Sequence, residues 1–263
     1  MTPTQTNIKA AFYIPFGYLY CVRLRSTAKL LSWLLLYILP TAFYAAVGYP
    51  GTPVSYIIRY TLVLLATFTL YELGYIFNDT LAIQHEEAPS LRLNEKETNY
   101  FFSHQWRILV TRVLIASVCL FALSFHTAIR PITLSIGAMC ILFAIYNRWR
   151  NKYNVFLYIW LVFSRYIPFM MLCGHEKIDY LLLFLSYPLL IGIERFSMPA
   201  YRWPFLRTLI PDEPSKARFR AAYYVLVLVI LLPVFYITQT PFYLLIPIAV
   251  LALYRIVRIL KKI

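Results

Sequence analysis

The stretch that decides the fold runs from Val54 to Phe77 and reads VSYIIRYTLVLLATFTLYELGYIF. An apolar run of this length predicts a helix that crosses a bilayer. It contains one carboxylate, Glu72, and leads directly into Asn78 and Asp79. Because carboxylates at membrane depth are costly and usually functional, we expect the chemistry of the protein near this end of the helix. The next residues contain four of the chain's eleven acids, Glu86, Glu87, Glu95 and Glu97.

Seven further apolar runs share this character, in a chain of 263 residues that is 61% hydrophobic with a mean hydropathy of +0.65. A single soluble core cannot bury that much apolar surface, so the composition predicts an all-α, polytopic helical bundle in one transmembrane domain over residues 1–263. We expect eight spans, at Leu30 to Val47, Val54 to Phe77, Trp106 to Phe125, Ile132 to Tyr146, Val155 to Cys173, Tyr180 to Phe196, Ala221 to Ile237 and Phe242 to Ile259.

Cations are concentrated in alternate connections between these spans. By the positive-inside rule both termini are cytoplasmic, as are the two long loops at about Asn78 to His104 and Ser197 to Arg220. This topology explains much of the net charge of +14 without a nucleic-acid partner. Ile8 to Val22 is expected to form an interfacial helix or the beginning of a longer first span, with the interfacial helix favoured. The four cysteines are scattered, as is typical of buried free thiols.

The acids Glu72, Asp79 and Glu86 are spaced by seven, which places them on one helix face that drifts slightly with each step. Asp79 and Glu86, with the Asn78 amide beside them, suit Mg²⁺, which takes a few carboxylate oxygens and leaves positions for water and phosphate. The alternative is that Asp79 caps the helix and Glu86 is a solvated loop charge. Glu72 lies deeper, and we expect Arg165 in the fifth span to be its partner.

The polar residues that follow the fourth and sixth spans contain more arginine than lysine. Guanidinium groups bind phosphate in bidentate geometry, whereas membrane orientation is satisfied equally well by lysine. We therefore interpret these segments as phosphate-binding, although Tyr146 and Arg148 equally suit an interfacial anchor. The segment after the sixth span contributes Glu194, Arg195, Tyr201 and Arg202.

Asn78-Asp79, the long loop after them and the polar loop after the sixth span resemble the UbiA superfamily of intramembrane prenyltransferases. The family motif is Asn-Asp-x-x-Asp-x-x-x-Asp, whereas this chain has Ala82 at the middle acid and Glu86 at the last. Pro89 to Arg92 is similar to the proline and basic residues that follow the motif. A second Asp-rich motif of the family is replaced here by Glu194-Arg195.

One weakened acid cluster facing several arginines resembles the phosphoribosyltransferase branch of the family, and the Arg23 to Lys29 spacing is similar to a basic pair in that branch. The resemblance implies transfer from phosphoribosyl diphosphate to a polyprenyl phosphate for cell-envelope synthesis, in a bacterial cytoplasmic membrane. It implies Asp79 and Glu86 as ligands of Mg²⁺ and, with Asn78, as catalytic residues. The set expected to bind substrate phosphates is Lys29, Arg92, Tyr146, Arg148, Arg165, Glu194, Arg195, Tyr201 and Arg202.

Two other functions stay open at this point. One is prenyl transfer from an isoprenyl diphosphate to an aromatic or other acceptor, which the missing acid at Ala82 disfavours. The other is a membrane protein without catalytic activity, such as a transporter. The sequence is compatible with an oligomer.

Overall fold

The computed structural model describes residues 7–85, 91–149, 153–173, 177–198 and 204–260. Within these ranges every regular element is a helix. We number them α1 Asn7–Ala11, α2 Thr27–Trp33, α3 Leu39–Val47, α4 Pro53–Thr80, α5 Glu95–Ser124, α6 Ile129–Arg148, α7 Asn154–Ser164, α8 Ile167–Met170, α9 Lys177–Ser186, α10 Pro188–Phe196, α11 Pro204–Leu209, α12 Glu213–Ile237 and α13 Ile246–Leu260. Two π-helical turns, Leu19–Arg23 and Leu34–Ile38, and two 3₁₀ turns, Ala82–His85 and Phe242–Leu245, connect them.

Six helical segments of the described chain are long and apolar enough to cross a membrane. This confirms the predicted all-helical, membrane-integral architecture, whereas the expected count of eight spans is not confirmed. The six segments are Thr27–Val47, Pro53–Gln84, Glu95–Ser124, Ile129–Arg148, Pro214–Ile237 and Phe242–Leu260.

The fifth and sixth predicted spans are each divided into two shorter helices. In the fifth, α7 ends at Ser164, with Arg165 as its C-cap, and α8 begins at Ile167, beside Pro168. In the sixth, α9 and α10 are separated by Tyr187, whose φ of −153° and ψ of −43° are not helical. Pro188 explains this second break, because proline has no N–H and disfavours helical geometry in the residue before it.

Tyrosine hydroxyls satisfy the backbone carbonyls at these breaks. The Tyr37 hydroxyl donates to the Arg165 carbonyl at 2.8 Å, and the Tyr224 hydroxyl donates to the Ser186 carbonyl at 2.6 Å. Both tyrosines are fully buried. A carbonyl released from a helix inside the bundle has no water to accept from, so these bonds make the breaks compatible with a membrane interior.

The amino-terminal segment is not the single interfacial helix expected over Ile8 to Val22. It consists of α1, a bend at Phe16 with a φ of 64°, and the first π-helical turn. Phe12 and Tyr18 are fully buried in a cluster formed with α4 and α5. The segment therefore folds back into the bundle.

A buried ion pair holds this segment, and it corrects the predicted partner of Glu72. Arg112 on α5, not Arg165, pairs with Glu72, at 2.7 Å. The Glu72 carboxylate also accepts from the backbone N–H groups of Phe16 and Leu19, so both of its oxygens have partners. The spacing of the residues in the sequence could not predict this ion pair, because the pair forms only when α4 packs along α5.

Candidate functional site

The Asp79 carboxylate, in the last turn of α4, is the centre of a dense polar cluster. Arg23 Nη2 donates to both of its oxygens, at 2.7 and 2.8 Å, and Arg92 Nη1 donates to Oδ1 at 2.8 Å. The Tyr18 hydroxyl donates to Oδ2 at 2.9 Å, and Asn78 Nδ2 lies 3.2 Å from Oδ1. The carboxylate is wholly inaccessible to solvent. Asp79 therefore neutralises one arginine and orients a second.

Local structure explains how the two arginines reach this carboxylate. Arg23 is the last residue of the first π-helical turn, and its guanidinium also lies 4.4 Å from the centre of the Tyr75 ring. Arg92 lies just before α5, whose start is fixed by a capping box in which Asn94 and Glu97 bond each other's backbone N–H groups. The end of α4, the amino-terminal segment and the loop before α5 are thus joined at one point.

Burial, together with the Asp79 carboxylate, raises the pKa of Tyr18 well above its ordinary value. A tyrosine is protonated at physiological pH in any case, and the higher pKa extends to more alkaline pH the range over which this hydroxyl donates to Asp79.

A cavity of ≈ 250 Å³, the Arg195 cavity, opens beside this cluster. Arg195, in the last turn of α10, stacks its guanidinium 3.6 Å from the centre of the Tyr158 ring and donates to the Tyr146 hydroxyl at 2.9 Å. Stacking fixes the plane of the guanidinium and so the direction of its N–H groups. The residues that line this cavity include Arg23, Arg92, Arg195, Asn78, Tyr146 and Tyr158.

A second cavity of ≈ 240 Å³, the Arg165 cavity, adjoins the first through Arg23, Tyr75 and Tyr158, which line both. It adds two further cations, Lys29 and Arg165. Among the described residues, five cationic side chains therefore line two neighbouring cavities, and no carboxylate lines either. This charge distribution is suited to an anion with several oxygen acceptors, such as a phosphate.

Half of the twelve predicted site residues line these cavities. Asn78, Arg92, Tyr146 and Arg195 line the first, and Lys29 and Arg165 line the second. Sequence reasoning missed Tyr18, Tyr75, Tyr158 and Trp33, because aromatic residues are abundant throughout the chain and spacing alone did not distinguish these.

Other predicted residues lie elsewhere. Glu194 is buried and forms a bidentate ion pair with Arg220 on α12, so it joins helices and lines neither cavity. Arg148, at the end of α6, is exposed and also lines neither. Glu86, Tyr201 and Arg202 fall outside the described residues.

The described residues do not by themselves fit a Mg²⁺ site. They contain no group of three histidine, cysteine, aspartate or glutamate side chains close enough to share a metal. Both oxygens of Asp79 already accept from guanidinium groups, which a cation would have to displace. Since the second predicted ligand, Glu86, lies outside the described residues, magnesium dependence stays a prediction.

Comparison of the chain with protein-family models, with curated proteins and with solved structures gave no match. The resemblance to the UbiA superfamily therefore stays a prediction that depends on the sequence motif, and the assignment of function depends on the geometry of the site.

Proposed function

We propose that the protein is a membrane-embedded transferase that moves a phosphoribosyl group from phosphoribosyl diphosphate to a polyprenyl phosphate. The observation that carries the proposal is the pair of adjoining cavities, which the described residues line with five cations and no carboxylate. Asp79, behind the lining, pairs with two of the five, Arg23 and Arg92. Both substrates of this reaction are phosphates, and each needs a cationic site of its own. The six long apolar helices agree with the bilayer location that a polyprenyl substrate requires.

In this proposal the Arg195 cavity holds the diphosphate of the donor. Arg23, Arg92 and Arg195 would stabilise the negative charge that develops on the diphosphate as it leaves. This stabilisation lowers the energy of the transition state. A phosphate oxygen of the lipid forms the new bond to the anomeric carbon of the ribose while the bond to the diphosphate breaks. The lipid phosphate is already an anion, so the attack needs no general base.

Asp79 acts in this scheme through its arginines. Its carboxylate fixes Arg23 and Arg92 before substrate arrives, and such preorganisation avoids the cost of ordering the donors during the reaction. Magnesium would accompany the donor as a counter-ion of its diphosphate. The proposed location is a bacterial cytoplasmic membrane with the Asp79 end of the bundle facing the cytoplasm, which the distribution of cations supports.

The test is a product assay by mass spectrometry on purified protein in detergent. Polyprenyl phosphate is offered with phosphoribosyl diphosphate, with and without Mg²⁺, and a parallel reaction contains an isoprenyl diphosphate with aromatic acids. We expect a phosphoribosylated lipid, lost in Arg195→Gln and kept in Arg107→Gln, an exposed arginine on α5. A prenylated aromatic would replace this proposal with prenyl transfer. No product in either reaction would contradict both and favour a non-enzymatic protein.

A further inference from the structure

The Arg165 cavity is lined by three side chains that can only donate hydrogen bonds and that each have a donor without an acceptor. These donors are Arg23 Nε, Trp33 Nε1 and Arg165 Nε, all of them buried and unpaired within the described residues. A buried N–H group without an acceptor costs about 1–3 kcal/mol, so an acceptor shared by these three donors would be stabilising. None of the three groups can accept, and the missing partner must therefore supply acceptors.

The charge of Arg165 points to the same conclusion. Its side chain is 6% exposed and forms no ion pair with any described residue. The rings of Tyr37, Tyr71 and Tyr187 surround its guanidinium at 4.9, 5.5 and 5.8 Å. Aromatic faces offset part of the cost of burying a cation but do not neutralise it. Lys29 adds positive charge to the same cavity, whereas the charge of Arg23 is offset by Asp79.

Three irregularities of the helices meet at this cavity. Arg165 lies at the end of α7 where the predicted fifth span breaks, Tyr187 lies in the break between α9 and α10, and Trp33 immediately precedes the π-helical turn Leu34–Ile38. Broken helices inside a membrane bundle are tolerated where they surround a cavity, and π-helical turns are frequent at functional sites. The convergence indicates a built site and not a packing defect.

We propose that the Arg165 cavity is a second anion subsite, separate from the Arg195 cavity, and that it binds a phosphate monoester. Phosphate supplies several oxygen atoms that accept from the three unpaired donors, and its negative charge balances Arg165 and Lys29. The anion site depends only on these residues. Its assignment to the phosphate of the lipid acceptor depends on the function proposed above.

The first test is binding to purified protein in detergent, measured by calorimetry and by thermal shift. The probes are inorganic phosphate, farnesyl phosphate and farnesol. We expect saturable binding of both phosphates and a loss of affinity of roughly tenfold to a hundredfold in Arg165→Gln, as follows from removing a charged hydrogen-bond donor. Affinity of farnesyl phosphate well above that of inorganic phosphate would identify a lipid headgroup, and equal affinities would identify a free phosphate.

The matched control is Arg255→Gln. Arg255 on α13 is also a buried arginine, 4% exposed, whose Nε has no acceptor within the described residues, but it lines neither cavity. We expect it to bind phosphate as the wild type does. Equal loss in both variants, or wild-type affinity in Arg165→Gln, would overturn the proposal, as would the absence of saturable phosphate binding by the wild-type protein.

Two further variants keep the test valid if Arg165→Gln does not fold. Trp33→Phe removes one N–H donor and Lys29→Gln removes one charge, and each should weaken phosphate binding while Arg255→Gln does not.

Diphosphate binding in Arg165→Gln should persist, because the Arg195 cavity is intact. If phosphate binds at Arg165 and the product assay fails, only the proposed function is rejected. If the reaction proceeds and Arg165→Gln leaves the KM for the lipid unchanged, only the second subsite is rejected.

Discussion

Arg112 Nη1 lies 2.7 Å from Glu72 Oε2, and neither side chain is exposed to solvent. The same guanidinium donates to the carbonyls of Phe12 and Ala11. Phe16 and Leu19 donate their N–H groups to the carboxylate from the other side of the bend. The ion pair and these bonds thus fasten the bend between α1 and the first π-helical turn to α4 and α5.

Glu72→Ala should lower the free energy of unfolding by about 3–5 kcal/mol, because it leaves the Arg112 charge buried without a partner. Thermal unfolding in detergent measures the change, with Glu95→Gln at the exposed start of α5 as the control. Replacing both residues, in Glu72→Gln/Arg112→Gln, should cost less than the sum of Glu72→Gln and Arg112→Gln made singly. Additive losses would show that the two side chains act independently.

Asp79→Asn should reduce kcat/KM of the proposed reaction by roughly tenfold or more, since Arg23 and Arg92 lose the charge that orients them. Asp212→Asn is a matched control, because Asp212 caps α12 and asparagine caps equally well. The kinetic assay should separate the two variants clearly. Equal activity of both would remove Asp79 from the site.

Arg195→Lys should raise the KM for the diphosphate donor by about tenfold, equivalent to about 1.4 kcal/mol. Lysine keeps the charge but lacks the planar group that stacks on Tyr158 and donates to Tyr146. Steady-state kinetics with Arg107→Lys as the control measures this effect. An unchanged KM would mean that charge alone matters at this position.

Gly74→Ala should destabilise the bundle by about 1–3 kcal/mol, because a methyl group there would overlap the ring of Phe143. Phe143 lines the Arg195 cavity, so donor affinity should fall as well. Gly137→Ala is the control, since no described atom lies within 4 Å of the added carbon, and it should be neutral or stabilising. Thermal unfolding that is the same for both variants would contradict the packing at Gly74.

Tyr224→Phe should cost about 1–3 kcal/mol of unfolding free energy, because the buried Ser186 carbonyl loses its donor. The matched control is Tyr236→Phe, whose side chain is 70% exposed. Thermal unfolding in detergent should distinguish them. If Tyr224→Phe is as stable as the control, the break in the sixth span has another donor.

The sequence predicted the six long helices because each is a continuous apolar run, and it singled out Asp79 because an acid at the end of such a run usually marks a site. It did not predict the breaks, although Pro188 after Tyr187 was a usable signal. The predicted partner of Glu72, Arg165, was wrong, since the packing of α4 along α5 brings Arg112 to it instead. The meeting of Lys29, Arg165 and Arg23 likewise depends on tertiary structure.

The tyrosines at the helix breaks have a consequence for how the bundle excludes water. In a soluble protein, solvent would donate to a carbonyl that a broken helix releases, whereas here Tyr37 and Tyr224 carry the donor on a rigid aromatic ring. The hydrogen-bond donors at the two breaks are therefore held in fixed positions, unlike those of mobile water molecules. Donors fixed in this way let a helix break inside the membrane without water having to enter to satisfy the released carbonyl.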